Sequence, residues 1–174
     1  MTVVVLAASD AAPYKALMMH AYEHAADAFT STPHERANEP DEWWINRIAH
    51  PEGLTVAFGA FEGERLIGTV ALEFSAKPKT KHKALVVGMY VLPPSRGKGS
   101  ARALLQAATQ FCTERGGIRA VQLEVTEGNT PAVTLYESLG FTAFGVEPMA
   151  VLTPTGFRSK IHMRLSLPRP PNAA

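Results

Sequence analysis

The sequence predicts a single α/β domain, and three observations carry that reading. Short β-rich runs alternate with helical patterns along most of the chain. Ala84 to Leu92 is apolar throughout, as a central strand covered on both faces should be. That strand breaks into the Gly-rich turn Pro93-Pro94-Ser95-Arg96-Gly97-Lys98-Gly99 and restarts as a helix, a junction that leaves backbone N–H groups unpartnered at a positively polarised helix start.

Each element follows in order. Thr2 to Ala7 reads as a strand, and Ser9-Asp10 caps a first helix expected to run to about Phe29, with Leu17, Ala21 and Ala28 spaced for one face. A second helix starts near Pro40, where Asp41 and Glu42 complement the dipole. Leu54 to Phe61 and Leu66 to Phe74 form a hairpin about Glu62-Gly63-Glu64-Arg65, followed by a Lys-rich loop from Ser75 to Lys83. After the Gly-rich turn, Ala101, Leu104, Leu105, Ala108, Phe111 and Cys112 follow the spacing of a helix packed on a sheet, and Gly116-Gly117 ends it. Ala120 to Val125 alternates, with Val121, Leu123 and Val125 on one face and Gln122 and Glu124 on the other. Ala132, Leu135, Tyr136 and Leu139 line a fourth helix that Gly140 terminates. Phe141 to about Leu152 and Phe157 to Leu167 make a final strand pair around Pro154-Thr155-Gly156.

Composition bounds the function. A chain of 174 residues suits one domain, here 1–167, with a Pro-rich tail at 168–174 expected to be disordered. A net charge of +1 argues against bulk binding to nucleic acid or an anionic membrane. The single cysteine, Cys112, excludes an internal disulfide and fits a reducing compartment. The first residues lack a basic signal-peptide region, and no apolar run approaches the roughly 18 residues of a membrane span. The expectation is a cytoplasmic protein.

Two motifs carry the chemistry. In Met89-Tyr90-Val91-Leu92-Pro93-Pro94-Ser95-Arg96-Gly97-Lys98-Gly99-Ser100-Ala101-Arg102, Gly97 and Gly99 let the backbone approach an anion closely. The spacing Arg96-x-x-Gly99-x-Ala101 resembles the pyrophosphate loop of the GNAT superfamily, the acetyl-CoA-dependent N-acetyltransferases. Further on, Leu123-Glu124-Val125-Thr126-Glu127-Gly128-Asn129 and Leu135-Tyr136-Glu137-Ser138-Leu139-Gly140-Phe141 resemble that family's second signature. The resemblance implies a central, mixed, strongly twisted sheet of about seven strands with about four helices. It implies acetyl-CoA as co-substrate, transferred to a primary amine by direct attack in a ternary complex. The acceptor is either a small amine or the N-terminus or lysine of a protein, and a homodimer is common in the family. A non-catalytic acyl-CoA sensor on the same fold is the alternative.

The resemblance also assigns residues. Arg96, Gly97, Lys98, Gly99, Ser100, Ala101 and Arg102 would hold the pyrophosphate, with Lys98 and Arg102 reading equally as solvated side chains. The backbone of Met89 and Val91, with Asn129, would line the pantetheine arm. Tyr136 would lie near the sulfur and protonate the leaving thiolate, while an N–H near Val91 stabilises the oxyanion. Glu124 is the first candidate base and Glu73 the second; each also reads as an ordinary strand carboxylate. Asn129 serves equally as a helix cap. His20-Ala21-Tyr22-Glu23-His24 matches the H-x-x-E-H pattern of one zinc-peptidase class, but it lacks a third ligand in the sequence, and no metal is expected. Trp43 and Trp44 either wall the acceptor pocket or pack the second helix.

Overall fold

The computed structural model describes residues 1–168, so all but the first residue of the expected tail lies outside the described residues. Seven strands form one sheet in the order β1-β2-β3-β4-β5-β7-β6. They are β1 (Thr2–Val5), β2 (Thr55–Glu62), β3 (Arg65–Phe74), β4 (Lys83–Val91), β5 (Ala120–Thr126), β6 (Thr142–Thr153) and β7 (Gly156–Ser166). The sheet is mixed: β4 and β5 are parallel, and every other neighbouring pair is antiparallel. A parallel pair needs a crossover connection, and the helix α4 (Ser100–Arg115) supplies it.

Strand alternation divides the core into two layers. On β3, Val70 and Leu72 join the cluster beneath α4, which includes Leu104, Leu105, Ala108 and Cys112. Ala71 between them faces the other cluster, where α1 (Ala11–His24) contributes Tyr14, Leu17, Met18 and Ala21 and α3 (Asp41–Ile48) contributes Trp44 and Ile48. The helix α5 (Thr130–Ser138) packs on the α4 side through Tyr136. None of these helices is long and apolar enough to cross a membrane.

One expectation needs correction. The first helix ends at His24, not Phe29, and a single 3-10 turn, Ala26–Ala28, follows it. The cause is tertiary: Thr126 Oγ1 of β5 donates to the Asp27 carbonyl at 2.8 Å, which draws this segment across the sheet. The described residues hold the expected seven-stranded sheet with five α-helices, the short α2 (Pro33–Ala37) forming between α1 and α3. Its local signal is a capping box: the Thr32 N–H donates to Glu35 Oε2 at 2.7 Å, and the Glu35 N–H to Thr32 Oγ1 at 3.3 Å.

Candidate functional site

The parallel pair β4·β5 is bonded over only three residues, Lys83–Leu85 against Ala120–Gln122. Past that point β4 continues to Val91 and β5 to Thr126 without pairing with each other, so the strands become two walls of a cleft of about 910 Å³. A bulge helps to bend β4 away. Between Thr69↔Tyr90 and Ala71↔Val87, β3 advances two residues while β4 advances three. Gly88, at φ +62°, takes up the extra residue in a conformation that suits glycine.

At the mouth of the bulged strand the backbone faces the cleft. The Leu92 N–H donates to the Ile67 carbonyl at 2.9 Å, so by the alternation of an antiparallel ladder Val91 presents its peptide groups to the other side. There Arg96 Nε donates to the Val91 carbonyl at 2.9 Å, and the guanidinium lies 5.5 Å from the centre of the Tyr90 ring. Arg96 thus staples the loop to the strand. α4 then opens on Gly99, a left-handed residue whose position carries no side-chain cap, so the first-turn N–H groups are left for a ligand.

The cleft wall includes Met89, Val91, Arg96, Gly97, Gly99, Ser100, Ala101, Arg102, Glu124, Asn129 and Tyr136, all expected from the sequence. Lys98 is not among these lining residues; its exposed ammonium lies 3.9 Å from Glu62. Other side chains are already engaged. Ser100 Oγ donates to the Ser95 carbonyl at 3.4 Å, and Arg102 Nη2 to Ser138 Oγ at 2.8 Å. Asn129 caps α5, its Oδ1 accepting from the Ala132 N–H at 3.4 Å.

Tyr136 is 7% exposed, and burial pushes its hydroxyl up to about 12 from 10.0. It therefore stays protonated throughout the physiological range. Across the cleft, Glu124 projects from β5 and accepts from Lys160 Nζ of β7 at 2.6 Å. His162 Nδ1 stands 3.7 Å from the other carboxylate oxygen, and His162 Nε2 meets Glu147 at 3.2 Å. Glu73 also lines the cleft, but Arg47 Nη1 donates to it at 3.0 Å.

Sequence reading missed Lys160, Arg36 and Arg47, which bring positive charge to the cleft wall. Trp43 stacks with both arginines, at 4.5 Å from Arg36 and 5.4 Å from Arg47, while Trp44 is buried in the core. Lys160 carried a signal in strand pairing, because it stands opposite Thr126, two residues beyond Glu124. His20 shares a 2.9 Å hydrogen bond with the Tyr90 hydroxyl and stacks on His24 at 4.0 Å, an arrangement that uses both rings within the fold.

Comparison with known proteins adds to this geometry. Residues 17–141 match the family model described as the acetyltransferase (GNAT) family. The chain is 34% identical over 115 residues to the streptothricin acetyltransferase of Streptomyces lavendulae, covering 66% of this chain and 57% of that one. It is 35% identical over 133 residues to the mycothiol acetyltransferase of Geodermatophilus obscurus, covering 70% and 40% respectively. The aligned part is thus about half the length of these curated relatives. In fold, the chain is similar to a GNAT-family acetyltransferase from Streptococcus pneumoniae, with a TM-score of 0.83 at 19% identity over 95% of this chain and all (100%) of that one. A GCN5-related N-acetyltransferase from Kribbella flavida gives 0.78 at 27% identity, covering 95% of this chain and 98% of that one.

Proposed function

Because the chain belongs to the acetyltransferase (GNAT) family, we propose that it transfers acetyl from acetyl-CoA to a primary amine by direct attack in a ternary complex. The observation that carries this reading is the continuity of one cleft from the uncapped start of α4, along the edge of β4 that β5 leaves unpaired, to Glu124 and Tyr136. The pyrophosphate would lie on the first-turn N–H groups of α4, and the pantetheine arm along Met89 and Val91, beside Asn129. The acetyl-CoA supplies an activated thioester carbonyl, and the residues around it handle the charge and protons.

The N–H of Val91 is directed into the cleft and would stabilise the oxyanion as the amine attacks. Glu124 would take the proton of the amine, and Tyr136, kept neutral by burial, would give one to the leaving sulfur. Cys112 is unsuited to a covalent intermediate: it is fully buried on the core-facing side of α4, and burial pushes its thiol up to about 12. Glu73 is the second candidate for the base, its carboxylate held by Arg47 at 3.0 Å as that of Glu124 is by Lys160 at 2.6 Å.

The acceptor is a small amine or the N-terminus or lysine of a protein. A panel of streptothricin, polyamines, amino acids and lysine-bearing peptides, scored by CoA release, tests the reading. Turnover of any of these supports transfer, whereas tight acetyl-CoA binding without turnover across the panel favours the sensor. The proposal extends to a homodimer. Phe144, Val146, Met149, Leu152 and Phe157 leave the β6·β7 end of the sheet exposed and apolar, and sedimentation velocity would read a dimer directly.

A further inference from the structure

We propose that Lys160 is itself an acceptor, acetylated within the chain that carries it; this rests on the reading of the cleft as an acetyl-transfer site. Any amine that Glu124 deprotonates must come within hydrogen-bond reach of that carboxylate. Lys160 Nζ is already there, at 2.6 Å from Oε2. Lys160 is also the single lysine among the described residues of the cleft wall, and its side chain is only 18% exposed. Its position follows from strand pairing. Lys160 stands opposite Thr126 on β5 and Glu147 on β6, yet its ammonium reaches past both to the carboxylate that faces the cleft.

The transfer balances without any further reactant. Glu124 takes one proton from the Lys160 ammonium, and the neutral Nζ forms a C–N bond to the thioester carbonyl. The C–S bond breaks, and the sulfur leaves as a thiol with the proton of Tyr136. The nitrogen gives up its second proton to solvent and Glu124 returns its own to the phenolate, so that lysine ammonium and acetyl-CoA give acetyl-lysine, CoA and one released proton. The product amide is not nucleophilic, so the reaction stops at one acetyl group per chain. The ammonium paired with Glu124 is then gone.

The purified chain is incubated with acetyl-CoA and no added amine, and peptide mass spectrometry follows acetylation at each lysine. Lys160 is expected to be modified at least tenfold faster than the exposed Lys77, Lys79 and Lys81, a margin of about 1.4 kcal/mol in barrier. Glu124→Gln should erase that margin, as should unfolding the chain in urea. Lys160→Arg, which keeps the cation, should leave the intact mass without the early single-acetyl step. Acetyl-CoA binding is read in parallel by thermal shift. Binding with Lys160 modified no faster than the exposed lysines overturns this inference and leaves the proposed function standing; absence of binding overturns both.

Discussion

Tyr136 combines a buried ring, packed at 6.0 Å from Phe141, with a hydroxyl that burial holds protonated. Tyr136→Phe keeps the packing and removes only the proton donor. Acetyl-CoA affinity should be nearly unchanged while kcat falls by about 10²–10⁴, the usual effect of losing a general acid. Steady-state kinetics beside a binding isotherm separate the two quantities, and a kcat within about twofold of the parent would remove Tyr136 from the mechanism. Glu124→Gln should slow the reaction most at low pH, with partial recovery as rising pH deprotonates the amine unaided. Equal loss at every pH would mean that Glu124 positions the amine without taking its proton, and loss confined to Glu73→Gln would move the base to β3. The fact that Glu124 is met by Lys160 on one oxygen and approached by His162 on the other makes this comparison worth doing in a Lys160→Met background too.

The bulge in β4 turns a strand into a cleft wall, and its geometry rests on one residue. A Cβ at Gly88 would meet nothing closer than the Tyr14 hydroxyl at 3.8 Å, so space is not the obstacle. The obstacle is φ +62°, which costs a side-chain-bearing residue about 1–2 kcal/mol. Gly88→Ala should therefore lower stability by about that amount and, by flattening the bulge, weaken acetyl-CoA binding as well. Equilibrium unfolding and a binding isotherm on the same variant check both parts; intact binding would show that the bulge tolerates the strain in place. Gly99→Asp acts differently, since it sets a negative charge at the α4 start, and it should abolish the thermal shift with acetyl-CoA. These elements also separate what was legible in the sequence from what was not. The Gly-rich turn, the apolar stripe of α4 and the alternation that turns Glu124 away from Val121, Leu123 and Val125 are local patterns, and all three hold in the fold. The divergence of β4 from β5, the end of α1 at His24 and the arrival of Lys160 beside Glu124 are products of strand order, of a bulge and of a hydrogen bond between residues 99 positions apart. Periodicity has no access to such contacts. The α2 helix is a different case, because Thr32-Pro33-His34-Glu35 carries its own capping box and was readable in advance.

For the molecule as a whole, three buried ionisable groups make stability fall on the alkaline side. Burial pushes Tyr14 and Tyr136 up to about 12 from 10.0 and Cys112 up to about 12 from 9.0, with Arg47 partly offsetting the effect at Tyr14 and Arg115 at Cys112. At neutral pH all three are protonated in both states, so their contribution is fully present and constant. Above about pH 9 the unfolded chain loses the thiol proton while the folded chain keeps it, and above about pH 10 the two phenols follow. The unfolded state then binds fewer protons, and stability must fall as pH rises, at up to about 1.4 kcal/mol per pH unit for each group. By about pH 11 the sum is on the order of 5 kcal/mol, comparable to the whole stability of an ordinary domain. Urea unfolding midpoints should therefore be level across neutral pH and collapse above about pH 10. Cys112→Ala distinguishes this from general charge repulsion. It removes the first group to titrate, so the variant should start less stable through lost packing yet lose about 2 kcal/mol less than the parent between about pH 8 and pH 10.5. Parallel curves for the two proteins would mean that the thiol ionises no later in the fold than in the open chain, and would break the link between the α4 core and alkaline unfolding.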